Sequence, residues 1–155
     1  RVKVAEKADY NFEAIEKYCW LQGCEFSYQG PYALQETFAV EAFEEAIVKN
    51  LSEKGYILDE NDPDFLVNVT ILIEEKSHRM IYIDDFEGIG APREREEQIH
   101  YLKGTLIFDV IDMEQTEVFW RSSAHKFMDR HSDFDEDQID KAIEKVLAKF
   151  PIKGE

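Results

Sequence analysis

Apolar residues stand at every second position from Phe65 to Ile73, so that Phe65, Val67, Val69, Ile71 and Ile73 share one side of an extended chain. The opposite side (Leu66, Asn68, Thr70, Leu72, Glu74) is mixed, which predicts an antiparallel sheet covered on one face. A further strand around Arg79 to Ile83 is expected to pair with it. Leu102, Leu106, Phe108 and Val110 alternate in the same way, Asp112 to Thr116 reads as a turn, and Val118, Trp120 and Ser122 alternate on the return, which together predict a hairpin. Nearer the start, Arg1 to Ala5 and Tyr18 to Leu21 read as short strands, with Tyr10 and Phe12 docking the connection between them onto the core.

Two stretches change to helical spacing. From about Leu34 to Lys54, Ala39, Val40, Phe43, Ala46, Ile47 and Leu51 fall on one face, while Glu41, Glu44, Glu45 and Lys49 fall elsewhere. Gly55 supplies the left-handed residue that ends such a helix, and Tyr56 beyond it is placed to touch Leu51. Near the other end, Ile139, Ala142, Ile143, Val146, Leu147 and Phe150 repeat at helical spacing until Pro151 stops the run. The pattern predicts an α+β fold over residues 1–155 as a single domain, a mostly antiparallel sheet with two helices packed on one face.

The approach to the second helix, SDFDEDQID, poses a choice. Asp133, Asp135 and Asp137 alternate as in a calcium loop, with Glu144 following where a bidentate carboxylate would sit. Such a loop needs glycine at its sixth position, and Gln138 stands there. A helix start accounts for every residue instead. Asp135 is the N-cap, Gln138 the return half of a capping box, Phe134 and Ile139 a hydrophobic staple, and Glu136 and Asp137 lie where the helix dipole favours negative charge.

Composition narrows the function. The chain has 155 residues, with 18 Lys+Arg against 34 Asp+Glu, and its formal charge of −16 repels nucleic-acid phosphates and anionic headgroups. No apolar run approaches the roughly 18 residues of a membrane helix. The chain begins at Arg1 rather than Met, so removal of an initiator and of a targeting segment is expected. Cys19 and Cys24 do not form a CxxC pair, and no second pair completes a zinc site. In an oxidising compartment the intervening Gly23 permits a disulfide across a tight reversal; two free thiols is the plainer expectation.

Candidate chemistry is sparse. Asp84 to Glu97, with two glycines, a proline and mostly charges, reads as a long loop of the kind that carries binding, with Phe86, Ile89, Arg93 and Arg95 as candidate contacts. His78, His100, His125 and His131 lack the spacing of helical zinc ligands. His125 and Asp129 join His131, Asp133, Asp135 and Asp137 as the alternative metal cluster of a hydrolase. No catalytic set is assigned and no cofactor is called for: nucleophile elbow, phosphate-binding loop and dinucleotide glycine motif are all absent from the sequence. The sequon at Asn68 lies inside the best strand, where a glycan would block pairing.

The hairpin KGTLIFDVIDMEQTEVFWRSSA resembles the signature of the bacterial lipoprotein family of domain of unknown function 4136 (DUF4136). YNFEAIEKYCW, LSEKGYILDENDPDFLV and IDKAIEKVLAKFP are similar to its opening segment, its helix end and strand start, and its closing helix, in that order. The resemblance implies an α+β domain exported to the periplasm or outer membrane, commonly tethered by a lipidated N-terminal cysteine ahead of the domain. It brings no catalytic residues. Gly104, Asp112, Trp120 and Arg121, which match its motif, read as sheet, turn and core residues. The expected function is that of a non-catalytic envelope domain binding an envelope protein or envelope component, with no nucleic acid and with membrane contact only through such an anchor. A metal-dependent hydrolase at residues 125–137 is the alternative.

Overall fold

The computed structural model describes residues 2–7, 10–21, 27–29, 37–84, 90–128 and 135–154. Among these residues seven strands form one sheet: β1 (Val2–Glu6), β2 (Lys17–Trp20), β3 (Ser27–Gln29), β4 (Ile57–Leu58), β5 (Phe65–Asp84), β6 (Arg93–Asp112) and β7 (Val118–Met128). The order across it is β1-β7-β6-β5-β2-β4, with β3 also paired to β5. β1, β7, β6 and β5 run antiparallel one to the next, and β2 and β3 join β5, and β4 joins β2, in parallel. The fold is α+β with a mostly antiparallel sheet.

Register follows from side-chain alternation. Val67 lies opposite Val110, Val69 opposite Phe108 and Ile71 opposite Leu106, and all six are buried. Slipping one residue would turn this set to the other face, so the pairing is strongly specified. Helices α1 (Thr37–Glu53) and α2 (Glu136–Leu147) cover the face, adding Phe43, Ile47, Leu51, Ile139, Ile143 and Leu147 to the same core. Each such side chain stabilises the fold by roughly 1.5–3 kcal/mol relative to exposure.

The end of α1 is built as its sequence predicts. Gly55 has φ 95°, the Tyr56 N–H donates to the Leu51 carbonyl at 2.9 Å, and the Gly55 N–H donates to Ser52 at 3.0 Å. A side chain at Gly55 would also meet Lys153 Cβ at 2.8 Å, because the C-terminal tail passes over the cap. That tail is fastened by the Lys153 ammonium, which donates to the carbonyls of Ile15 (2.7 Å) and Glu13 (3.0 Å), and by the Tyr56 hydroxyl, which donates to the Pro151 carbonyl (2.9 Å).

Asp64, before β5, fixes the parallel pairing with β2. Its carboxylate accepts from the N–H groups of Lys17 and Glu16 at 3.0 Å each, and its own N–H donates to the Lys17 carbonyl at 2.7 Å. These bonds, that from Lys17 foremost, hold its carboxyl below the usual carboxylate range.

Three expectations are corrected. The strand expected over Arg79–Ile83 is the outer part of one 20-residue strand, β5, and the loop expected over Asp84–Glu97 contains the end of that strand and the start of β6. Val118 does not share the buried face of Trp120: a bulge between Val110 and Ile111 leaves Phe119 without a registered partner, so Phe119 and Trp120 are both buried and Val118 is exposed. Tyr10 takes advantage, stacking on Phe119 with centroids 3.6 Å apart, while Phe12 meets both rings edge-on. Finally, Cys19 in β2 is disulfide-bonded rather than a free thiol. Composition carries no record of the redox compartment, which decides that question. Cys24, the other cysteine of the chain, lies outside the described residues.

Candidate functional site

β5 and β6 are each 20 residues long, roughly 65 Å at the usual strand rise. Their neighbours are shorter. β3 pairs with β5 as far as Leu72, and β7 pairs with β6 from Leu102 inward. Beyond these limits β5 and β6 continue from the Lys76–Tyr101 pair to the Asp84–Arg93 pair as a two-stranded arm. No third strand pairs with the arm among the described residues.

Alternation explains why this length was hidden. In the arm both faces meet water, so its pattern alternates between charged residues rather than between apolar and polar ones. What holds it together is the cross-strand set: the Arg79 guanidinium donates to the Glu96 carboxylate (Nη2–Oε2 3.2 Å), and the Arg95 guanidinium lies over the Tyr82 ring opposite it, 4.7 Å from the centroid. Ile81 and Ile83 remain 57% and 68% exposed on one face, and Ile99 is exposed on the other. At the base of that second face, Tyr101, Phe127 and His125 form a small aromatic patch, each ring 5.6 Å from Phe127.

Arg93 and Arg95, expected as contacts in a loop, therefore stand on β6 within the arm. Phe86 and Ile89 lie outside the described residues. The aromatic patch and Tyr82 were not singled out from sequence, because nothing in a strand of charges marks which aromatic will stand free.

The acidic stretch takes the form of a helix start. Asp135 is the N-cap of α2, its carboxylate accepting from the Gln138 N–H at 2.8 Å, and Asp137 pairs with Lys141 at 3.2 Å. Asp129, His131, Asp133 and Phe134 lie outside the described residues. Among the described residues no three of His, Cys, Asp and Glu come together as a metal site. His125 stands on β7 beside Phe127. Asp135→Ala is expected to cost about 1 kcal/mol of stability, read from the urea midpoint, with divalent metals leaving both proteins unshifted. A metal-induced rise in melting temperature that the variant loses would overturn the capping role.

The motif residues have structural surroundings. Gly104 lies below Met128, whose Cε would stand 2.9 Å from an added Cβ. Asp112 organises the β6–β7 turn by accepting from the Glu114 N–H at 2.8 Å. Trp120 is fully buried against Phe108 and Phe150, and Arg121 pairs with Asp109 across the two strands.

The family model for Domain of unknown function (DUF4136) matches residues 2–152, nearly the whole chain. The chain belongs to this family. None of the curated proteins matches the DUF4136 chain in sequence. Among solved structures it is similar to a PDZ domain protein from Parabacteroides distasonis, with a TM-score of 0.61 and 12% identity over 99% of this chain and 36% of that one. The DUF4136 domain thus spans little more than a third of that protein's length. It is also similar to the PelC dodecamer from Paraburkholderia phytofirmans, with a TM-score of 0.54 and 11% identity over 94% of this chain and 96% of that one. At these identities the likeness is one of fold.

Proposed function

We propose that this DUF4136 domain is a non-catalytic interaction module of the bacterial cell envelope, which takes an extended segment of an envelope protein onto its β5–β6 arm. The observation that carries this reading is the arm itself. Isolated two-stranded ribbons are marginal in water, and open strand edges are normally shortened, covered or bulged away. Here, among the described residues, both edges stay open over about 30 Å with isoleucines exposed on one face. An added strand would satisfy the edge N–H and C=O groups, and alternate pockets would give it specificity.

Charge supports the same place. In the arm's paired stretches, Lys76, Arg79, Arg93 and Arg95 balance Asp84, Glu94, Glu96 and Glu97, a net of zero in a chain of −16. The chain's overall field repels an acidic partner, and the arm's local balance removes that penalty. The disulfide at Cys19 fits an oxidising compartment, as the exported family it resembles implies.

The test is recovery of partners from crosslinked envelopes with the intact domain and with a variant in which His78–Ile99 is replaced by Asn-Gly. That change leaves Ser77 opposite His100, closed by a two-residue turn. The specific partner is expected to disappear with the arm, while the melting temperature moves by less than about 4 °C because the described residues among those removed bury little. Equal recovery by both proteins would refute the arm as the binding element.

A further inference from the structure

Away from the arm, the sheet and α2 separate to leave a pocket of about 450 Å³, within the range of roughly 300–1,000 Å³ typical of small-molecule sites. Its hollow has an identifiable origin. Gly104 on β6, Ala124 on β7 and Ala142 on α2 all line it, so small side chains stand on both the sheet wall and the helix wall. Phe43, Ile71, Leu106 and Ile139 supply an apolar, buried interior. The packing that closes the rest of the core therefore stops short here, over the β6–β7 part of the same face.

The rim has the opposite character. Lys126 from β7 and Lys141 and Lys145 from α2 converge on the pocket, with Glu144 as the one carboxylate lining it among the described residues. Lys141 is engaged by Asp137, but Lys126 and Lys145 have no ion-pair partner among the described residues. In a chain of charge −16, this is a local excess of cations at the mouth of an apolar hollow. That combination selects one chemistry: a hydrocarbon tail to fill the interior and an anionic head to meet the unpaired lysines.

We infer that this pocket is a binding site for a single-chain anionic amphiphile, its acyl chain between β6, β7 and α2 and its head group at Lys126 and Lys145. Free fatty acids and lysophospholipids share this chemistry. The inference is independent of the arm, which lies outside the pocket.

Titration with dansyl-undecanoate below its micellar concentration, followed by displacement with a saturated series from octanoate to palmitate and with lysophosphatidylglycerol, tests it. Affinity is expected to rise about fourfold per added methylene, the equivalent of ~0.8 kcal/mol per buried group, and then to level off once the hollow is full. Displacement by the fatty acids alone or by the lysophospholipid as well would identify the source. Ala142→Phe fills the hollow and is expected to weaken probe binding at least tenfold; if that variant melts early, Ala124→Leu blocks the sheet wall instead. Lys126→Gln with Lys145→Gln is expected to weaken the acids several-fold while leaving alcohols of equal length unchanged. Absence of saturable binding, a steady rise with chain length without levelling, or binding unaltered in both filled variants would overturn the site.

Discussion

Trp120→Ala lowers the stability of the domain by about 3–5 kcal/mol, measured as the shift in a two-state urea or guanidinium transition. The indole is completely buried and meets Phe108 and Phe150 edge-on at 6.2 and 5.0 Å between centroids. It therefore joins β6, β7 and the segment after α2, and truncation leaves a cavity where three elements meet. Trp120→Phe is expected to lose much less. Phenylalanine keeps most of the ring contacts and discards the indole N–H, which has no acceptor among the described residues. A loss of under about 1 kcal/mol for the alanine variant would mean that the surrounding aromatic cluster collapses into the space, and that Trp120 is not the keystone of this packing.

The second large effect is expected at Arg121. Its guanidinium grips the Asp109 carboxylate with two hydrogen bonds, one of them Nη2–Oδ2 at 3.1 Å, across directly opposed positions of β6 and β7. Asp109 is 7% exposed, whereas the Arg121 side chain is 53% exposed, so the pair is lopsided: one charge is buried and the other is at the surface. Arg121→Ala strands the buried carboxylate and is expected to cost about 2–3 kcal/mol, below the penalty for a wholly buried pair because water reaches the open side. Adding Asp109→Leu to that variant removes the stranded charge and should recover part of the loss. If the double variant is as unstable as the sum of the single ones, the two side chains act independently and the pairing contributes nothing of its own.

Legibility in the sequence followed hydrophobic contrast. The inner half of β5 and the faces of both described helices could be read because buried positions are apolar and their neighbours are not, and the Gly55 and Asp135 caps because each cap position demands a particular residue type. The arm could not, since Arg93 to Glu97 alternate among charges and present no contrast between faces. The bulge escaped for a related reason: VFW places three apolar residues in a row, and only the packing of Tyr10 on Phe119 decides that the middle one is buried. The candidate contacts Arg93 and Arg95 were found by composition but given the wrong setting, a strand being rigid where a loop is not. The pocket left no periodic signal at all, because Gly104, Ala124 and Ala142 come together only through tertiary packing.

The position of β1 has a consequence for how the chain comes together in time. Val2 lies opposite Ala124 and Glu6 opposite Trp120, so the first of the described strands waits for the last of them, β7, before it has a partner. Until then β5 and β6 can close on each other as a local hairpin, but the rim of the sheet stays unfinished and the ring of Phe119 has no Tyr10 above it. Native pairings this distant in sequence raise contact order and slow folding. Maturation of the domain is accordingly tied to the arrival of β7 rather than to the progress of the strands before it.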